Sequence, residues 1–259
     1  MSFNGKHRAY GDPSYWEKRY AKDPRPFDWY QNYPSLAPLI RLYLQPNSRV
    51  LVVGCGNSVF SEGMVEDGFE DVVNIDISSV VIEAMKKKYS DNAALKYIRM
   101  DVRDMSEFES SSFDAVIDKG TLDAIMCGNN SQENSIKMVE EIGRVLKDEG
   151  VYILISYGAP AIRLSVLRET CLWTIKLHVI EKFMVERRPN HETWELTNPV
   201  PLNEDGSSIE AALGKNLDAY YHCVYVCTKT GASITRLRMT LTDEGIRGGH
   251  LAKLKIYGY

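Results

Sequence analysis

VLVVGCGNS, residues 50–58, is a short unbroken apolar run that stops at Gly54 and Gly56 just ahead of a helix-like stretch. A run this short, bounded by glycine, reads as a strand buried on both faces, the kind found in parallel sheets. Glycine lacks a Cβ, so a Gly-x-Gly turn after such a strand can bend sharply and bring main chain and a helix N-terminus against a small ligand. The pair alone fits any tight strand-to-helix turn. The next apolar run, VVNID at 72–76, ends in Asp76, about twenty residues beyond Gly54, where a carboxylate can accept both hydroxyls of a ribose. Together the two features point to a nucleoside-bearing cofactor.

Outward from this unit, strand-like runs alternate with helix-like stretches from residue 49 onward, the pattern of βαβ units in one doubly wound α/β domain with a parallel sheet. Strands are expected at 49–53, 72–76, 95–100, 113–118 and 150–157. Helices are expected from 58 to 66, from Ser78 with Lys86, Lys87 and Lys88 in the last turn, and over 135–146. Two later runs, 173–183 and 219–228, are rich in β-branched or aromatic residues and read as further strands. Between them, 185–218 carries Pro189, Pro199, Pro201, Gly206 and Gly214 and is expected to be an irregular excursion with a short helix at 209–213. An excursion of that length is either functional or an unstructured embellishment. Residues 1–48 form an N-terminal segment, 49–230 the main domain, and 231–259 an unassigned tail.

With 259 residues, 44% of them hydrophobic and 25% charged, the chain can bury a full core. Its 31 Lys and Arg against 35 Asp and Glu leave a formal net charge of −4, so no basic excess is available for a phosphate backbone, and nucleic acid is not an expected partner. No apolar run is long enough to span a membrane. The opening residues lack the apolar stretch of a secretory signal, and Asp12, Glu17, Asp23 and Asp28 make them too acidic for a mitochondrial presequence, which favours the cytoplasm. Cys55, Cys127, Cys171, Cys223 and Cys227 are scattered and never in a C-x-x-C pair, so they read as reduced, packed thiols with no metal site. Oligomeric state is not legible.

A dinucleotide fingerprint would place glycine or alanine at position 59, where Val59 stands, so a pyrophosphate and hence a dehydrogenase are disfavoured. Asp101 follows the third strand, placed to accept from an adenine amino group, although it also fits a plain strand-end turn. An acid after strand two and another after strand three is the arrangement expected for S-adenosylmethionine.

The string Asp118-Lys119-Gly120-Thr121-Leu122-Asp123-Ala124, with VVGCGNS, the N-terminal Tyr15-Trp16-Glu17-Lys18-Arg19-Tyr20 and Phe27-Asp28-Trp29, resembles a known family. It is the methyltransferase-like protein 13 and elongation factor 1-alpha lysine methyltransferase 4 family of S-adenosylmethionine-dependent methyltransferases. The resemblance runs from about Tyr15 to Thr228 and leaves out 185–218. It implies a Rossmann-like seven-stranded sheet, mostly parallel with the last strand antiparallel, of the class I methyltransferase type. It also implies that Trp16, Tyr20 and Trp29 close over the cofactor, that Gly54, with Gly56, abuts its amino-acid portion, and that Asp76 with Ile77 takes the ribose. Asp101 with Val102 would take the adenine, and Lys119 would face the methionine carboxylate. The implied activity is methylation of a protein lysine, with elongation factor 1-alpha as substrate.

Methyl transfer from a sulfonium is an in-line displacement that needs positioning and water exclusion more than a strong base. Asp118, Thr121, Asp123 and Tyr157 fall at the carboxyl edge of the strands, where open α/β sheets bind ligands, and are the substrate-side candidates, although strand-end Asp and Thr also serve as helix caps. His178, His191 and His222 are expected to be structural. A small-molecule methyltransferase with 185–218 as a lid, and a cofactor-binding protein without turnover, are the rival readings. The intact glycines and acids weigh against the latter.

Overall fold

In the computed structural model, residues 7–170, 173–183, 194–202 and 220–231 are described. After a 3-10 turn (His7–Gly11), the elements in order are α1 (Pro13–Lys22), α2 (Tyr33–Tyr43), β1 (Arg49–Val53), α3 (Phe60–Glu66), β2 (Asp71–Asp76) and α4 (Ser79–Lys88). There follow β3 (Leu95–Arg99), β4 (Phe113–Lys119), α5 (Thr121–Met126), α6 (Ser131–Val145), β5 (Leu146–Ser156), α7 (Pro160–Thr170), β6 (Trp173–Glu181) and β7 (Tyr221–Lys229). The strands form one seven-stranded sheet in the order β3-β2-β1-β4-β5-β7-β6. Pairing is parallel from β3 to β5, and β7 runs antiparallel to both β5 and β6. The doubly wound, mostly parallel sheet with a reversed last strand is as expected.

Burial on both faces explains the apolar runs. Val50, Leu51, Val52 and Val53 are all buried, and alternate members face opposite layers. Leu51 and Val53 join a core with α5, α6 and α7, through residues such as Leu122, Met138, Ile142 and Leu167. Val50 and Val52 join a core with α2, α3 and α4, through Leu36, Ile40, Phe60, Met64 and Ile82. Because α2 is part of that second core, the N-terminal segment is built into the domain rather than laid loosely over it.

Several boundaries differ from the sequence reading. The helix after the glycine turn starts at Phe60 because Ser58 Oγ accepts the Phe60 amide at 3.0 Å, spending two residues in the turn. Helix α6 begins at Ser131, earlier than expected, and β5 begins at Leu146 through an irregular pairing next to Phe113. Of the excursion, only 194–202 is described; Val200 bridges to Leu177 of β6. The helix expected at 209–213, the tail beyond Gly231, Cys171 and His191 lie outside the described residues. Cys55, Cys223 and Cys227 are buried and Cys127 is half-buried. His178 is fully buried between the Tyr43 hydroxyl and the Leu196 carbonyl, each at 2.8 Å, a structural role as expected.

Candidate active site

The strand order reverses between β1 and β4, and a crevice opens where their carboxyl ends carry connections to opposite faces of the sheet. Register aligns the ends. Val53 lies beside Ile75 and Asp118, Asp76 beside Arg99, and Lys119 beside Ile155. Gly54, Asp76, Asp101, Lys119 and Tyr157 therefore share one edge, and they line one pocket of about 400 Å³, a size suited to a small-molecule ligand.

Both glycines hold left-handed backbone, with φ +60° at Gly54 and +53° at Gly56. A Cβ on Gly54 would stand 2.0 Å from Thr121 Oγ1, and one on Gly56 would stand 2.6 Å from the Tyr20 hydroxyl oxygen. Their bare Cα atoms thus receive protein side chains, one from α5 and one from the N-terminal segment. Thr121 is seated further by donating to the Val53 carbonyl at 3.0 Å.

At the β2–β3 end, Asp76 Oδ2 accepts the Gly56 amide and Oδ1 the Ser78 amide, each at 2.9 Å. A carboxylate offers about four acceptor positions, so these two bonds do not exhaust it. Burial pushes the Asp76 pKa up to about 6, against the pull of the Ser78, Gly56 and Ile77 amides. Asp101 is more committed: Arg103 reaches it with Nη2 at 2.6 Å, Nε at 2.9 Å and its amide at 2.9 Å. Burial works against ionisation there, but the Arg103 contacts hold the carboxyl below its usual range. Ile77 and Val102 supply apolar wall between the two acids.

The N-terminal segment forms the opposite wall. Trp16 stacks on Tyr20 at 5.9 Å and meets Trp29 edge-on at 6.3 Å, and all three line the pocket. Glu17 fastens this wall to the start of α4. It accepts the Ser78 hydroxyl at 2.7 Å, the Ser79 amide and hydroxyl at 2.9 Å and the Val80 amide at 3.2 Å. Desolvation opposes its charge, but these bonds hold Glu17 at about 2, and the helix N-terminus favours an anion. Asp28 is a second anchor. It accepts the Ser58 hydroxyl and, at 3.0 Å, the Lys119 ammonium, which also donates to the Trp29 carbonyl at 3.0 Å. Burial pushes Lys119 below the usual lysine range, with Asp28 acting against it.

At the β4–β5 end the substrate-side candidates separate. Thr121, Asp123 and Tyr157 line the pocket, whereas Asp118 is fully buried beneath its wall. Asp118 accepts the Thr121 and Leu122 amides at 2.7 and 3.1 Å and the Tyr152 hydroxyl at 3.0 Å, which makes it the cap of α5 and corrects its placement on the substrate side. Burial, and then the charge of Asp123, raise Asp118 to about 7. Asp123 is ion-paired with Arg163 at 2.5 Å, both side chains 3% exposed. It also accepts the Tyr30 hydroxyl at 2.7 Å, the Ser156 hydroxyl at 2.6 Å and the Tyr157 amide at 3.1 Å. Tyr157 itself is 48% exposed at the lip.

All ten residues expected at the cofactor line this pocket. Glu17, Asp28, Tyr30 and Arg163 were not singled out by their chemistry, although Glu17 and Asp28 stand inside the strings that carry the family resemblance. Among the described residues, no group of three or more His, Cys, Asp or Glu side chains could hold a metal ion, and no helix is long and apolar enough to cross a membrane.

A family described as a methyltransferase domain matches residues 44–200. The eEF1A lysine and N-terminal methyltransferase of Bos taurus is 41% identical over 155 residues, 58% of this chain and 22% of that protein. EEF1A lysine methyltransferase 4 of Bos taurus is 36% identical over 168 residues, 61% of this chain and 66% of that protein. The chain thus spans under a quarter of the length of the first relative. A solved SAM-dependent methyltransferase from Methanosarcina mazei has the same fold, with a TM-score of 0.53 and 17% identity over 79% of this chain and 99% of that one.

Proposed function

The chain belongs to the methyltransferase-domain family, and from that premise we propose that it methylates the side-chain amine of a protein lysine with S-adenosylmethionine as donor, in the cytoplasm. The observation that carries the cofactor reading is Asp76. It is a buried carboxylate fixed by the Gly56 and Ser78 amides, with acceptor capacity to spare where it lines the pocket. A fixed carboxylate with spare acceptor capacity suits the paired hydroxyls of a ribose. The donor set fits the rest of the molecule as well: apolar Ile77 and Val102 for the base, and the Lys119 ammonium toward a carboxylate. The lysine and elongation factor 1-alpha parts of the reading are supported by what the two relatives are named for.

S-adenosylmethionine supplies a methyl group on a positively charged sulfur, which keeps the bonding electron pair when the methyl leaves. The protein's part is to hold donor and acceptor in line and to keep water out. Trp16, Tyr20 and Trp29 cover the pocket and exclude water. Thr121, Asp123, Tyr30 and Tyr157, which line the pocket at the β4–β5 end away from Asp76, would border the methyl end of the cofactor. Asp123 is occupied by Arg163 and its hydrogen-bond donors, so the acceptor ammonium gives up its proton to solvent at the half-exposed Tyr157 lip rather than to a carboxylate base.

Calorimetric titration with S-adenosylhomocysteine, followed by tritiated S-adenosylmethionine with purified elongation factor 1-alpha, tests the proposal. Binding and label on a lysine are expected. No binding sinks the cofactor reading, and binding with label only in small molecules from a cell extract sinks the protein-lysine reading.

A further inference from the structure

Tyr30 holds left-handed backbone, with φ +64°. A bulky side chain in that region is strained and persists only where its surroundings over-determine it. Four contacts do so here. The hydroxyl donates to Asp123 Oδ2 at 2.7 Å. One ring edge fills the space above Gly120, 3.1 Å from where a Cβ would stand. The His222 ring packs 4.8 Å away, and the Tyr157 ring meets Tyr30 at 6.4 Å.

Neighbouring residues tie the same stretch elsewhere. The Trp29 carbonyl accepts Lys119 Nζ at 3.0 Å, and Gln31 Nε2 donates to the Glu181 carbonyl at 2.7 Å. Only Tyr30 reaches Asp123 from this stretch, and it lands on Oδ2, the oxygen that also accepts the Tyr157 amide at 3.1 Å. The other oxygen, Oδ1, is held by Arg163 Nη2 at 2.5 Å and the Ser156 hydroxyl at 2.6 Å, so the carboxylate cannot turn. A fixed oxygen therefore joins the N-terminal cover to the turn that carries Tyr157.

We propose that Tyr30 is a positioning residue that links the N-terminal cover, where it lines the cofactor pocket, to the shape of the acceptor-side wall; this rests on the methyltransferase reading. The Tyr30 hydroxyl on Asp123 braces the turn after β5, so a ligand that steadies the cover steadies the acceptor wall with it. Glu17 and Asp28 anchor the cover at other points, so loss of the Tyr30 hydroxyl leaves cofactor affinity nearly intact and uncouples the wall.

Tyr30→Phe keeps the ring and its seat. Hydrogen exchange of the Tyr157 and Gly158 amides is measured with and without S-adenosylhomocysteine, beside calorimetry. In the wild type the ligand slows exchange there by at least about threefold; in Tyr30→Phe that slowing is lost while affinity stays within about threefold. With tritiated S-adenosylmethionine and elongation factor 1-alpha, kcat falls by about tenfold and the cofactor KM holds, the split expected for misplacement rather than lost binding. Ligand-dependent slowing in Tyr30→Phe equal to the wild type overturns the inference and leaves the function standing. Absence of S-adenosylhomocysteine binding to the wild type overturns both.

Discussion

Asp76 and Asp101 at one end of the pocket and Asp118 and Asp123 at the other are the same side chain, set at or just past the ends of neighbouring strands, yet their surroundings give them different work. Asp76 is held by two backbone amides that leave acceptor positions toward the pocket. Asp118 and Asp123 spend theirs on the protein, one capping α5 and the other pairing with Arg163 and bracing Tyr30, Ser156 and Tyr157. Position along the sheet edge thus does not decide whether a carboxylate meets a ligand. The donors already around it do.

The largest effect expected from breaking this contrast is at Asp123. Asp123→Ala leaves the Arg163 guanidinium buried without its counter-charge, and removing one partner of a buried pair costs about 3–5 kcal/mol. Urea unfolding should show that loss in the midpoint with little change in slope. A variant of wild-type stability would mean that the pair is not a structural hub.

The parts of the molecule that were legible in the sequence are those decided by near neighbours. A strand buried on both faces must be apolar throughout, so β1 reads directly as Arg49–Val53, and glycines at positive φ mark the turn after it. The N-terminal helices are less visible. Pro38 sits inside α2 and obscures its helical pattern, and α1 carries aromatics that face the pocket instead of a regular core stripe. Nothing near Arg163 in the sequence signals its burial; only Asp123, distant in the chain, explains it. Glu17 at Ser78 and Tyr30 at Asp123 are likewise long-range pairings, which no local period reveals. Asp118 was misplaced for a related reason: a strand-end acid before Thr looks the same whether it serves a ligand or a helix cap.

Next in size is Asp76→Ala, which removes the ribose acceptors without opening a core cavity. S-adenosylhomocysteine affinity should fall by about a hundredfold, the loss of two hydrogen bonds to a charged acceptor, while the Gly56 and Ser78 amides left unpaired cost about 1–3 kcal/mol of stability, less than Asp123→Ala. The wild type adds a pH signature. Because its pKa is raised to about 6 by burial, Asp76 favours the fold when protonated, so its contribution to stability improves as pH falls through 6. Cofactor binding needs the carboxylate and moves the other way. Affinity should be flat above about pH 7 and drop by about tenfold by pH 5. An Asp76→Asn variant should lose that dependence, and a wild type with pH-independent binding over this range would falsify the ribose assignment.

The smallest effect sharpens the comparison within the β2–β3 end itself. Asp101 faces the pocket but is clasped by Arg103, whose side chain is 30% exposed, so a nucleobase amino group must share the carboxylate or displace the guanidinium. A pair this open to solvent is worth only about 0–1 kcal/mol, so swinging Arg103 aside is cheap. Arg103→Ala should then change S-adenosylhomocysteine affinity by no more than about threefold in either direction, and tighter binding would indicate displacement. A loss as large as that of Asp76→Ala would mean instead that Arg103 touches the ligand directly and that Asp101 is its support, which would move the second acid of this end into the same class as Asp118 and Asp123.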